Sequence, residues 1–149
     1  MPNLLLIEGP PASGKSAELR DLLDAGDLDI GLEFTPIWAA LKGYRRDPET
    51  GHYPIRQSDD PAAPIAAAMM LAGLRVSLRN NLNVGVTTGT SGRVEKYRDI
   101  AADELAEFSV RTIDPGQDVV AGRLARSFPD PGTGGLRDEC LDAMGRWYG

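Results

Sequence analysis

Hydrophobic positions along this chain alternate between short continuous runs and longer stretches in which they recur every three or four residues. Asn3 to Glu8 (NLLLIE) is a continuous apolar run closed by Gly9 and two prolines, the pattern of a short buried strand. Ser16 to Ala25 then predicts a helix with Leu19, Leu22 and Leu23 on its apolar side and Gly26 as its stop. Leu28 to Phe34 predicts a second, weaker strand. Thr35-Pro36 predicts a helix start, with Thr35 as N-cap and Pro36 at the first helical position, followed by Ile37, Trp38 and Leu41. Asp60-Pro61 opens a long helix reaching about Asn80, and Ile65, Met69, Ala72 and Val76 mark one face of it. Leu82 to Thr88 predicts the third strand. Arg93 to Ala106 predicts a helix with Val94, Tyr97, Ala101 and Leu105 on one side. Phe108 to Ile113 predicts the fourth strand, closed by Asp114-Pro115-Gly116. Gln117 to Ser127 and Leu136 to Tyr148 predict two more helices, with a flexible stretch (FPDPGTGG, Phe128 to Gly135) between them. Strands alternating with helices imply an α/β fold with a parallel sheet covered on both faces.

Bulk properties narrow this picture. A chain of 149 residues suits one domain, taken as 1–149, and can bury a core without staples. No apolar run approaches the roughly 20 residues of a membrane span. Met1 to Ile7 lacks the basic start of a signal peptide, so a cytoplasmic protein is expected. A single cysteine, Cys140, excludes an internal disulfide and a cysteine-rich metal site. A formal charge of −6 argues against a protein that coats nucleic acid, because that task needs a basic surface. A local basic pocket is compatible with it.

One motif is specific. Gly9-Pro10-Pro11-Ala12-Ser13-Gly14-Lys15-Ser16 satisfies G-x-x-x-x-G-K-[ST] at every fixed position, between a predicted strand and a predicted helix. Backbone N–H groups can cradle a polyphosphate only where side chains do not intrude, hence the glycines. The helix that follows directs its positive end at the phosphates. Gly9 through Ala17 are therefore expected to hold ATP with Mg2+, Lys15 bridging the β- and γ-phosphates and Ser16 supplying a magnesium ligand.

With this motif on its first strand, the chain resembles the small P-loop kinases, the group containing gluconate, shikimate and polynucleotide 5′-kinases. The stretch NVGVTTGTSGRVEKYRDIAADELAEFSVRTIDPGQDVVAGRLARS and the arginines Arg123 and Arg126 carry the rest of the resemblance. Its brevity also resembles small P-loop proteins of phage and prophage genes. The kinase resemblance implies a three-layer sandwich whose four-stranded parallel sheet has the order 2-3-1-4. It implies an acid near the end of strand two that orients or deprotonates the acceptor, a place filled by Glu33, with Asp29 second. Arg123 and Arg126 resemble the arginines that open the kinase lid, which implies that they clamp the triphosphate or stack on the base, with Phe128 to Gly135 as the lid; the alternative is an ordinary polar helix face. Two departures stand out. Strand three ends Val86-Thr87-Thr88-Gly89, without the usual magnesium-shell aspartate, and no fifth strand follows the lid.

Gly43 to Asp60 is a long polar loop, and Arg45, Arg46 and Arg56 in it are candidates to hold a phosphate or carboxylate of an acceptor; the alternative is a solvated loop. Thr87 and Thr88 read as strand formers within reach of the phosphates, and Glu8 as structural. His52 reads as an exposed loop residue, Cys140, Trp38 and Trp147 as core, and Arg75 and Arg79 as a solvated edge. The expected function is ATP-dependent phosphoryl transfer to a small molecule or a nucleic-acid 5′ end. The alternatives are an NTPase driving a conformational or assembly step, and a nucleotide-binding module without catalysis.

Overall fold

The computed structural model describes residues 1–49, 51–54, 56, 59–90, 92–127 and 134–149, without the side chains of 127 and 134–139. Four strands form one parallel sheet in the order β2-β3-β1-β4, as the kinase resemblance implies: β1 (Asn3–Glu8), β2 (Ile30–Leu32), β3 (Val84–Thr88) and β4 (Glu107–Thr112). The first strand sits in the interior of the sheet, which explains its unbroken apolar run. Leu4 and Leu6 point to one face and Leu5 and Ile7 to the other, and all four are buried.

Each face has its own cover. Helix α1 (Lys15–Asp24) packs Leu19, with Leu22 and Leu23, against Leu5, Ile7 and Leu28. On the opposite face, α3 (Ala62–Arg79) and α4 (Val94–Asp103) pack Met70, Leu74, Leu78, Tyr97 and Ile100 on Leu4, Leu6, Val84 and Val86. This is the three-layer arrangement. Helix α2 (Phe34–Lys42) lies on α3, where Trp38 and Ala39 meet Ala66. Helices α5 (Gln117–Ser127) and α6 (Gly134–Tyr148) pair with each other, Cys140, Met144 and Tyr148 lying on Val120 and Leu124.

Several expectations need correction. The buried row of α3 is displaced by one to two residues from the predicted one. Ala66, Met70, Leu74 and Leu78 are buried, while Ile65, Met69 and Val76 are about half exposed. The segment is alanine, leucine and methionine nearly all round, so spacing could not choose the inward row. By length and composition α3 is also long and apolar enough to cross a membrane, against the expectation that nothing in the chain is; four of its residues belong to the core. On α4, Ile100 takes the core place expected of Leu105, which lies beyond the helix at φ 54 and is exposed. Strand β2 is only three residues long.

Helix α2 starts one turn position early. Glu33 is its N-cap, in extended backbone at φ −127 and ψ 135, and not Thr35. Pro36 then falls within the first turn, where its missing N–H leaves no helical bond unmade. Of the expected solvated edge, Arg79 is exposed and Arg75 half-buried, and the two are also ion-paired. Both reach Glu104 at the end of α4, at 3.0 and 2.7 Å, and tie the two sheet-covering helices together. Asp60 accepts from Ala62 N–H at 2.9 Å and from the Trp38 indole at 3.1 Å, joining the start of α3 to α2. These bonds, the one from Ala62 foremost, hold its carboxyl below the usual range despite its burial. Glu8 is structural as expected, accepting from Thr112 Oγ1 at 3.0 Å across the β1–β4 pair.

Candidate functional site

Sheet order places the loop after β1 at the carboxyl ends of three adjacent strands, between β3 and β4. Gly9 N–H donates to Thr88 O at 3.3 Å, and the loop turns under β4 so closely that no side chain fits. A Cβ on Gly9 would lie 2.3 Å from Ile113 O and 2.6 Å from Ser13 Oγ. Gly14 caps α1 at φ 104, and Ala12 also takes a positive φ of 59. This backbone produces a hollow of about 310 Å³ lined by residues 12–17 and Arg123, with the first turn of α1 at its base. Free N–H groups at a helix start make such a hollow a place for anions.

The side chains around the hollow are set in a particular way. Lys15 donates to the carbonyls of Gly9 (2.9 Å) and Pro10 (2.8 Å). Burial pulls its ammonium down to about 8, opposed by the nearby Glu33 and Cys140. The Ser13 hydroxyl is buried without a hydrogen-bond partner among the described residues. Arg123, from α5, donates to Ala12 O at 2.9 Å and so reaches the rim; Arg126 is exposed and lines neither this hollow nor the cleft beside it. The lid expected over 128–135 falls largely outside the described residues.

Because Glu33 caps α2 in extended backbone, its side chain turns back over the sheet edge toward the P-loop. Its Oε1 accepts from Ser16 Oγ at 2.6 Å and from Thr87 Oγ1 at 3.0 Å. Thr87 stands at the strand end where a magnesium-shell aspartate was expected. One carboxylate and two hydroxyls thus meet beside the hollow, an all-oxygen set of the kind hard divalent cations take. No cluster of three or more His, Cys, Asp or Glu is present among the described residues.

A cleft of about 760 Å³ opens from this junction. Pro11, Lys15, Ser16 and Glu33 form one end. Arg46 and Arg56 from the long loop line it, and Arg45 does not. His52 is half-buried in its wall and not an exposed bystander. Cys140, expected in the core, is half-buried against α5, and α6 also brings it and Arg146 to the cleft, while the start of α4 adds Arg93 and Lys96. Asp29 is spent elsewhere, accepting from Asn83 N–H at 2.8 Å at the start of β3.

No family model matches the chain, and no curated protein matches it. Solved structures do. The chain is similar to a chain of the Pnkp1/Rnl/Hen1 RNA repair complex (TM-score 0.63, 19% identity), covering 84% of itself and 37% of that chain. It is similar to a gluconokinase from Sinorhizobium meliloti 1021 (TM-score 0.52, 18% identity; 95% of this chain, 74% of that one). It is also similar to a tunicamycin resistance protein of Deinococcus radiodurans (TM-score 0.51, 20% identity; 100% and 80%). This is the P-loop kinase fold. The chain spans little more than a third of the repair-complex chain it matches.

Arg93, Lys96 and Arg146 were missed by sequence reasoning. Each sits in or at the start of a helix that reads as an ordinary polar surface, and only the folded arrangement of α4 and α6 brings them to line one cleft.

Proposed function

We propose that this protein is an ATP-dependent phosphotransferase acting on a hydroxyl of a small molecule or of a nucleic-acid 5′ end. The observation that carries this reading is the junction at Glu33, where the anion-shaped hollow meets a second cleft. A nucleotide hydrolase needs only the hollow and a water. A transferase needs a place for an acceptor within reach of the γ-phosphate and an acid beside it. The fold is shared with a gluconokinase and with a chain of an RNA repair complex, which supports the reading.

In this account the backbone of residues 9–17 and Lys15 hold the triphosphate, and Arg123 closes over it from α5. Ser16 and Thr87 would hold the magnesium, with Glu33 oriented beside them, and the metal would spread the negative charge of the phosphates. The acceptor hydroxyl oxygen forms a bond to the γ-phosphorus while the bond from that phosphorus to the β,γ-bridging oxygen breaks. The hydroxyl proton passes to the Glu33 carboxylate, and ADP leaves. Arg126 assists only if α5 turns, since it lies outside the hollow.

ADP release from ATP and magnesium, with and without sugars, nucleosides, nucleotides and 5′-hydroxyl oligonucleotides, tests this directly. Acceptor-stimulated release that Lys15→Ala abolishes supports the transferase. Unstimulated release points to the NTPase. Nucleotide binding with no release under any condition points to a binding module.

A further inference from the structure

The cleft beside the hollow is far more basic than the protein. Five cationic side chains line it besides Lys15: Arg46, Arg56, Arg93, Lys96 and Arg146; Glu33 is its one carboxylate among the described residues. The chain as a whole is negative, at −6.

The pairing pattern sharpens the contrast. Arginines on the outer faces have acidic partners: Arg75 and Arg79 with Glu104, Arg98 with Glu95, Arg111 with Glu18. Among the described residues none of the five cleft cations pairs with a carboxylate. Three lie over aromatic faces instead, Arg46 at 5.1 Å over Tyr53, Arg56 at 5.5 Å over Phe34 and Lys96 at 6.0 Å over Tyr97. Stacking orders a guanidinium while leaving its N–H edge free for an oxyanion. Gathering like charges without counterions costs free energy, and a ligand of opposite charge recovers it.

We infer that the acceptor is itself a phosphate ester: a hydroxyl compound whose existing phosphate binds between the loop arginines (Arg46, Arg56) and the first turn of α4 (Arg93, Lys96). A single carboxylate would leave most of this charge unmatched, whereas a phosphate dianion presents three oxygens to forked donors. The triphosphate does not account for these cations, because Lys15, Arg123 and the loop N–H groups already surround its hollow. The inference rests on the reading of the cleft as an acceptor site. It covers phosphorylated sugars and nucleotides, free or at the end of an oligonucleotide, since the recognised chemistry is shared.

The test separates the two clefts by using the Lys15→Ala protein, whose P-loop is disabled. Calorimetric titration would compare matched pairs: glucose 6-phosphate with glucose, and 3′-AMP with adenosine, with gluconate as the monocarboxylate and a 5′-hydroxyl oligonucleotide as the polymer. The expected result is that at least one phosphorylated probe binds, its neutral counterpart and gluconate bind at least tenfold more weakly, and Arg93→Ala with Lys96→Ala weakens the phosphorylated probe at least tenfold. Arg56→Ala alone is the second variant, needed in case the double change disturbs α4. Which phosphorylated probe binds best separates small esters from nucleic-acid ends. Equal binding of neutral and phosphorylated partners, binding of no probe, or binding unmoved by the Arg56 and the Arg93/Lys96 changes would each overturn the inference. None of these readouts requires turnover, so failure of phosphoryl transfer is seen separately, in the ADP-release assay.

Discussion

Burial of Lys15 sets stability against binding at a single side chain. The ammonium that a phosphate needs is one the fold disfavours, its pKa falling from 10.5 to about 8. Between those values the unfolded chain keeps the proton and the folded chain gives it up, so raising the pH from 8 toward 10 relieves the penalty and stabilises the fold. The full penalty, on the order of 3 kcal/mol at neutral pH, is what Lys15→Met would remove. That variant is expected to melt several degrees higher than the parent without nucleotide, to lose the stability gain above pH 8, and to lose ATP affinity at least a hundredfold. A lower melting temperature at pH 7 would mean that the bonds to Gly9 and Pro10 outweigh the burial cost. Gly9 gives a second residue-scale prediction. Its Cβ would lie 2.3 Å from a backbone oxygen, so Gly9→Ala should cost about 2 to 3 kcal/mol by chemical denaturation. Glu33→Gln should reduce the tightening of ATP binding by magnesium as well as turnover, because its carboxylate meets Ser16 and Thr87. If binding with and without magnesium is unchanged and only turnover falls, Glu33 serves the acceptor alone.

Helix α3 shows what a sequence can and cannot tell about an element. Its length and end were legible, with Asp60-Pro61 before it and Arg79 at its last turn. Its inward face was not, because alanine, leucine and methionine fill most of its positions and the only charged residues, Arg75 and Arg79, mark just its last turns. The buried and exposed rows now predict opposite outcomes for neighbouring residues. Leu74→Ala should cost about 3 kcal/mol. Met69→Ala and Val76→Ala, each about half exposed, should stay within about 0.5 kcal/mol of the parent. A large loss at Met69 or Val76 would show that this row is covered in solution. The short strand β2 was blurred for a different reason: only Ile30–Leu32 pair, while Leu28 before them packs against α1 and Phe34 after them already belongs to α2.

At the scale of the whole molecule, the sequence revealed what is local and hid what is assembled. The P-loop was legible because its chemistry needs consecutive residues, and the sheet order followed from the kinase resemblance. The cationic cleft was not, since Arg46, Arg93 and Arg146 come from a loop and two helices spread along the chain. The last of these depends on where α6 docks. Tyr148 donates to Asp114 Oδ1 at 2.6 Å, which ties the end of α6 to the turn before α5. Partial burial and this bond push the Tyr148 phenol up to about 12, and the same bond holds the Asp114 carboxyl below its usual range. Tyr148→Phe is therefore expected to speed hydrogen exchange in α6 while leaving β1 and β3 protected. Unchanged exchange in α6 would show that packing on Val120 and Leu124 suffices to hold it.

Transfer of a phosphoryl group from ATP to a bound hydroxyl compound is what separates the proposed kinase from a hydrolase. The most direct measurement is mass spectrometry of the acceptor after incubation with protein, ATP and magnesium, beside the same reaction with Lys15→Ala. The expected result is an acceptor heavier by one phosphoryl group with the parent protein and an unmodified one with the variant. Release of inorganic phosphate with every acceptor left unmodified would contradict it and make this P-loop protein a hydrolase.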